Sequence, residues 1–207
     1  MVIFLYLLIG YLIGTLSPAS LIGKRKHKDL HEHGTGNLGA TNTMLVLGVK
    51  YGIAVMLFDM AKAFCAYKIT AWLRPDVPWL AMAVGACVVI GHCFPFYMRG
   101  KGGKGLAAFG GLVLAYHPTL FLFLLVSGVV LMIAINYSFI LPFYAAVFVT
   151  VYAAIREESL AVFLIIAAVS ALIVAMHFGN FVKACRGQEI KIRAYIKSKL
   201  FRSGSAK

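Results

Sequence analysis

The sequence predicts an all-α, polytopic integral membrane protein of about seven transmembrane helices, and three observations carry that prediction. Of the 207 residues, 61% are hydrophobic and 13% charged, with a mean hydropathy of +0.88, too little polar surface for a soluble domain of this size. The apolar residues fall in near-continuous runs suited to lipid. Lys and Arg, 20 against 7 Asp and Glu, cluster beside those runs. The chain reads as a single membrane-embedded domain over 1–207 with a basic tail at about 183–207. Its chemistry must therefore sit on span ends and connecting loops.

The first run, Val2 to Gly23, lacks a positive n-region and is followed at once by "KRKHK", the reverse of a cleavable signal peptide, so it is expected to remain as a span. Further runs cover Tyr51 to Leu73, Pro78 to Met98, Leu106 to Ala115, Pro118 to Ile135, Phe139 to Ile155 and Ser159 to Met176. The run from Leu106 is short: at 1.5 Å per residue it reaches about half of a ~30 Å hydrocarbon core. Charge decides whether it crosses. Five cations lie in the 24–50 loop, three at 99–104 and eight after residue 182. A crossing at 106–115 puts all three groups on one side, with only "RPDVP", "YHP" and "REES" opposite. Positive charge favours the cytoplasmic side, so seven crossings follow, N-terminus out and C-terminus in. A short, glycine-bearing crossing also suggests a broken helix that lines a cavity or is shielded by neighbours.

Basic charge placed beside spans argues for a membrane surface rather than nucleic acid. Cys65, Cys87, Cys93 and Cys185 form no CxxC, so neither a disulfide framework nor a zinc site is indicated. His27, His31 and His33 lie close together in a basic loop, without recognisable ligand spacing. No metal and no cofactor is expected.

Three polar segments fall on the predicted cytoplasmic face. "HGTGNLGATN", His33 to Asn42, sets Thr35, Asn37, Thr41 and Asn42 among glycines that let the backbone approach a ligand; a simple connecting turn has the same composition. In "GHCFPFYMRGKGGKG", Gly100, Gly102, Gly103 and Gly105 are expected to free consecutive N–H groups for an anion. Lys101 and Lys104 add charge there, and the next helix adds its positive end. Phosphate is the expected guest, although a turn gripping lipid headgroups would also be basic. The spacing is not that of a Walker A loop. In "MHFGNFVKACRGQE", His177 and Asn180 stand three apart on one helix face, with Glu189 beyond. Asp59 and Lys62 are three apart within the second span and are expected to pair as structural support. His92 and Pro95 either shape the turn or touch substrate.

With these residues in place, the sequence resembles the bacterial acyl-phosphate:glycerol-3-phosphate acyltransferases of the PlsY type. The likeness is carried by "GTGNLGATN" with "VLG" and "LFDMAKA", by "GHCFPFYMRGKGGKG" and by "HFGNFVKACRGQE", in order over residues 17–189. The resemblance implies a seven-helix enzyme of the bacterial cytoplasmic membrane with its active site on the cytoplasmic side. It moves an acyl group from acyl phosphate to the 1-hydroxyl of glycerol 3-phosphate, giving lysophosphatidic acid for phospholipid synthesis. By position, Thr35, Asn37 and Asn42 belong to the first substrate-binding segment, and Gly102, Gly103 and Lys104 to phosphate recognition and charge stabilisation. His177, Asn180 and Glu189 belong to the third polar network.

The chain also departs from the pattern it resembles. Leu45, Asn136 and Met176 stand where arginine is usual, Thr35 replaces Ser, and Phe139 and Pro142 occupy positions where Ser is common. A charge-assisted bond from Arg to phosphate contributes roughly 1.5–3 kcal/mol, so losing one weakens substrate binding about ten- to a hundredfold. The missing arginines make an altered acceptor and a non-catalytic lipid or anion binder alternatives to the main reading, and the short broken helix, the anion nest and the intramembrane Asp59 and Lys62 also suit a transporter. No Ser-His-Asp order is legible. Lys104 reads as electrostatic, and either His177 or a substrate phosphate oxygen takes the hydroxyl proton.

Overall fold

The computed structural model describes residues 1–156, 159–189 and 191–193. Glu157 and Glu158 of "REES", and residues 190 and 194–207 of the basic tail, lie outside the described residues. The described chain is helical, with one isolated antiparallel bridge between Tyr137 and Lys191.

The first apolar run forms two helices rather than one, α1 (Val2–Thr15) and α2 (Pro18–Arg25). Pro18 disfavours helical geometry at Ser17 and has no N–H to donate. Leu16 and Ser17 are accordingly extended, and Ser17 Oγ accepts from Ser20 N at 3.3 Å as the new N-cap. The first polar loop holds a short helix, α3 (Ala40–Leu47), parted from α4 (Val49–Leu73) by Gly48.

α5 (Pro78–Cys93) ends before Pro95, and a 3-10 turn (Phe96–Met98) follows. α6 (Leu106–Tyr116) and α7 (Pro118–Ile135) come next, α7 opening on a proline at its first position. α8 (Ile140–Arg156) and α9 (Leu160–Cys185) complete the bundle. α9 runs past Met176 to Cys185, so Asn180 projects from regular helix, and Lys183 in its last turn complements the helix dipole.

Among the described residues, four segments are long and apolar enough to cross a membrane: Val2–Arg25, Pro78–Met98, Pro118–Ile135 and Leu160–Cys185. α4 has the length, 25 residues, but carries Lys50, Asp59, Lys62 and Lys68. α6 and α8 are apolar and shorter.

α5 is the central element, with α1, α4, α6 and α9 packed around it. Small residues bring backbones together, as at many helix interfaces in lipid. A Cβ on Gly14 would strike the Val88 carbonyl, and one on Gly91 the Tyr11 carbonyl. The short α6 is shielded by protein: Phe109 and Leu112 are buried, and Gly111 lies against Met60 of α4. Phe4, Leu5, Leu122, Phe123 and Val126 are exposed, as expected of side chains facing lipid. A smaller core of Ala19, Leu30, Leu38 and Val55 anchors the first polar loop to α2 and α4. The loop before α6, the turn between α7 and α8 and the end of α9 meet at one end of the bundle. The opposite end carries the Arg74–Asp76 ion pair at 2.7 Å.

Candidate active site

The first polar loop is built around Asn42, which is fully buried. Its Nδ2 donates to Leu30 O at 2.8 Å and to His33 O at 3.1 Å, and its Oδ1 accepts from Thr35 N at 2.6 Å. Gly34 has φ +66°, and a Cβ there would strike Asn42 Oδ1. The amide of Asn42 therefore holds the loop in shape, while Thr35 is exposed and Asn37 partly so. The bonds of Asn42 close the loop on itself.

The glycine loop differs from the expectation of free backbone donors. Gly100 N donates to Pro95 O, Lys101 N to Met98 O, Gly102 N to Cys93 O and Gly103 N to His92 O, at 3.0–3.1 Å. The last carbonyls of a helix lack intrahelical partners, and the loop folds back to satisfy those at the end of α5. The first N–H groups of α6 remain as anion-binding donors in this region; the helix follows an N-cap, Gly105, in the left-handed region (φ 84°) that makes no side-chain cap.

Lys104 stands beside that helix start and donates to Asn180 Oδ1. Asn180 Nδ2 donates to Glu189 Oε1 at 2.8 Å, and Ser138 Oγ donates to the same oxygen at 3.0 Å. An ammonium has three hydrogens, so one is engaged by Asn180 and two can be offered to an anion. Burial holds the Lys104 ammonium below the usual lysine range, while the Glu189 carboxylate pulls it back up. A cation desolvated in this way interacts strongly with phosphate or with charge developing on a carbonyl oxygen.

Lys104 is thus joined to Asn180 and Glu189, more distant in the chain, in one hydrogen-bonded line. His177 is buried on α9, with Nδ1 2.8 Å from Ile173 O, which leaves Nε2 as the nitrogen able to exchange a proton with substrate. Ser138 is a member that sequence reasoning missed; the serine-rich turn of the pattern around this position was the available signal. Among the positions that lack arginine, Asn136 is the left-handed C-cap of α7 (φ 72°), Leu45 lies on α3, and Met176 packs against the main core. Among the described residues no group of three or more His, Cys, Asp or Glu is placed to hold a metal ion.

The family profile described as glycerol-3-phosphate acyltransferase matches residues 4–187. The glycerol-3-phosphate acyltransferase of Geobacillus kaustophilus is 32% identical over 190 residues, 91% of this chain and 95% of the relative. That of Exiguobacterium sibiricum is 43% identical over 122 residues, a match that spans 58% of each chain. Among solved structures, the glycerol 3-phosphate form of PlsY (YgiH), an integral membrane glycerol 3-phosphate acyltransferase, superimposes with a TM-score of 0.87 at 28% identity. That match covers 93% of this chain and 96% of the other.

Proposed function

Because this chain belongs to the glycerol-3-phosphate acyltransferase family, we propose that it transfers a fatty acyl group from acyl phosphate to the 1-hydroxyl of glycerol 3-phosphate, forming lysophosphatidic acid. The observation that carries this reading is the line Lys104–Asn180–Glu189–Ser138 beside the uncapped start of α6. Both substrates bear phosphate, and the site offers a desolvated ammonium and a helix N-terminus.

Acyl phosphate already carries a good leaving group, so the protein's tasks are placement, charge stabilisation and exclusion of water. Lys104 and the first turn of α6 hold phosphate and stabilise negative charge on the carbonyl oxygen and the departing phosphate. Asn180 and Glu189 fix the ammonium. Thr35 and Asn37 are assigned to the acceptor by their motif, in a loop that Asn42 keeps folded. The attacking hydroxyl forms the new ester bond as the carbonyl–phosphate bond breaks, and its proton passes to His177 or to a phosphate oxygen.

The same reading carries seven crossings, N-terminus out and C-terminus in, with the site on the cytoplasmic side of a bacterial cytoplasmic membrane. Support comes from the gathering of Lys104, Ser138 and Glu189 at one end of the bundle and from the cations beside them. Cys185 is exposed at that end, so a membrane-impermeant maleimide should label it only after cells are opened. Labelling in intact cells overturns this orientation.

The test of function is acyl transfer by the purified protein in lipid, with palmitoyl phosphate and glycerol 3-phosphate, beside Lys104→Ala. Lysophosphatidic acid from the wild type and none from the variant is the expected result. Leu45, Asn136 and Met176, where arginine is usual, favour a second reading in which the acceptor differs. Consumption of acyl phosphate with other polyols but not with glycerol 3-phosphate would establish it.

A further inference from the structure

Behind the glycine loop lies a cluster of charged and polar groups that takes no part in the line from Lys104 to Ser138. Asp59, Lys62 and His92 are 1%, 7% and 7% exposed. Lys62 Nζ is 2.7 Å from Asp59 Oδ1 and 3.1 Å from His92 Nδ1, and it donates to Gly14 O and Leu16 O at 2.9 Å each. His92 Nδ1 is 3.2 Å from Asp59 Oδ1. The carboxylate oxygen sits at ion-pair distance from both nitrogens without a well-aligned hydrogen bond. Burying such groups is costly in a bundle surrounded by lipid, and a well-packed apolar set would often be as stable. The cluster therefore points to a positional role.

The other edge of the His92 ring shows what that role is. A Cβ on Gly103 would fall on the ring at Nε2 and Cε1, and one on Gly102 would meet His92 O and Pro95 Cδ. Neither glycine has positive φ, so glycine is required there by close approach and not by backbone conformation. Gly103 N also donates to His92 O at 3.0 Å. The loop thus abuts the Nε2 edge of a ring whose far edge is held by Asp59 and Lys62. Lys62 in turn ties the broken end of α1 to the same point.

Resting on the acyl-transfer reading above, we propose that His92 is a positioning residue: clamped by Asp59 and Lys62, its imidazole is the wall that sets the height of Gly102 and Gly103. It thereby sets where Lys104 and the first turn of α6 meet a substrate phosphate. A wall displaced by even a fraction of an ångström moves both donors together, because Gly103, Lys104 and Gly105 are consecutive.

The test is a double-mutant cycle in the full chain, pairing His92→Asn with Gly103→Ala. Asn retains a polar atom near the position of Nδ1 but removes the ring edge. Each single variant should raise KM for a phosphate-bearing substrate roughly ten- to a hundredfold, with a smaller change in kcat. The double variant should be no worse than the poorer single one, because the added methyl enters the space the ring has left. Effects that multiply independently would overturn the proposal, as would a His92→Asn protein whose KM is unchanged. Should His92→Asn fail to accumulate, Asp59→Asn leaves ring and loop in place but loosens the clamp; the same rise in KM is expected, and an unchanged KM overturns the idea.

Thermal stabilisation by inorganic phosphate gives a readout independent of turnover: present in the wild type and lost in His92→Asn. Stabilisation of the wild type without lysophosphatidic acid formation would count against acyl transfer while supporting the loop wall. No phosphate effect in the wild type would overturn the wall.

Discussion

Asn180 faces Lys104 with its amide oxygen and Glu189 with its amide nitrogen, so one side chain couples a cation to a carboxylate across two segments of the chain. Asp at this position would keep the acceptor for Lys104 but set two carboxylates together, and Ala would remove both bonds. A hydrogen bond to a charged group contributes roughly 1.5–3 kcal/mol, so Asn180→Ala and Asn180→Asp should each lower kcat/KM about ten- to a hundredfold or more. Steady-state assays with each substrate varied in turn will measure this. Wild-type kcat/KM in Asn180→Asp would show that the amide nitrogen has no part in the site.

The pH dependence of turnover tests the electrostatics of the same line. Burial pushes Lys104 below the usual lysine range, Glu189 raises it and Lys183 lowers it further. Only the ammonium form stabilises negative charge, so activity should fall as pH rises through the depressed value. Glu189→Gln removes the raising charge and should move this alkaline limb to lower pH. Lys183→Gln should move it to higher pH. Shifts of the same sign in both variants would remove Lys104 as the titrating group.

Asn42 should behave as a structural clamp with a functional consequence. The hydrogen bonds of its amide close within residues 30–42, and it is fully buried. Leaving those partners unsatisfied costs roughly 1–3 kcal/mol, so Asn42→Ala should lower the thermal midpoint measurably. The exposed Thr35 would lose its fixed position at the same time. A stable Asn42→Ala protein with unchanged KM for glycerol 3-phosphate would contradict this account.

What could be read from the sequence followed from features that act locally. Pro78 and Pro118 mark helix starts because proline suits the first helical position, and the glycines at 100–105 mark a turn at the end of α5. The break at Ser17–Pro18 was hidden because hydropathy continues across it. Whether the glycine-loop N–H groups were free was also illegible, since that depends on how the chain turns back toward the carbonyls of α5. Ser138 carries no motif of its own and gains significance only through Glu189, far along the chain. The line from Lys104 to Glu189 is a tertiary fact that motif order alone could suggest but not measure.

The junction of α1 and α5 gives a prediction about packing. A Cβ on Gly14 would strike the Val88 carbonyl, which is backbone and cannot rotate away. Gly14 O also accepts from Lys62 Nζ at 2.9 Å. Overpacking of this kind typically costs about 1–3 kcal/mol, so Gly14→Ala should lower the thermal midpoint, and larger side chains should prevent accumulation. Gly179, where an added Cβ would meet nothing within 4 Å, is the control on a helix surface, and Gly179→Ala should be tolerated. Equal stability of the two variants would mean that α1 does not approach α5 this closely.

The tail returns to the turn where arginine is usual. Arg193 N donates to Asn136 Oδ1 at 2.8 Å, and its guanidinium donates to Ile133 O and Ala134 O at 3.0 and 2.9 Å, covering the C-terminal carbonyls of α7. Asn136 is suited to this place because it tolerates the left-handed conformation that ends α7. The arrangement straps the chain just beyond Glu189, which then reaches Ser138 and Asn180. Asn136→Gly keeps the left-handed turn but deletes the acceptor, whereas Arg193→Ala keeps the turn and deletes the guanidinium. These are exposed bonds of roughly 0.5–1.5 kcal/mol, so each variant should lose about two- to tenfold in kcat/KM with little change in thermal midpoint. Asn136→Arg, which restores the usual residue, should be worse than Asn136→Gly, because it must hold a long side chain in the left-handed region while losing the strap. Higher activity in Asn136→Arg than in the wild type would show that the missing arginine, and not the tail, is what this turn lacks.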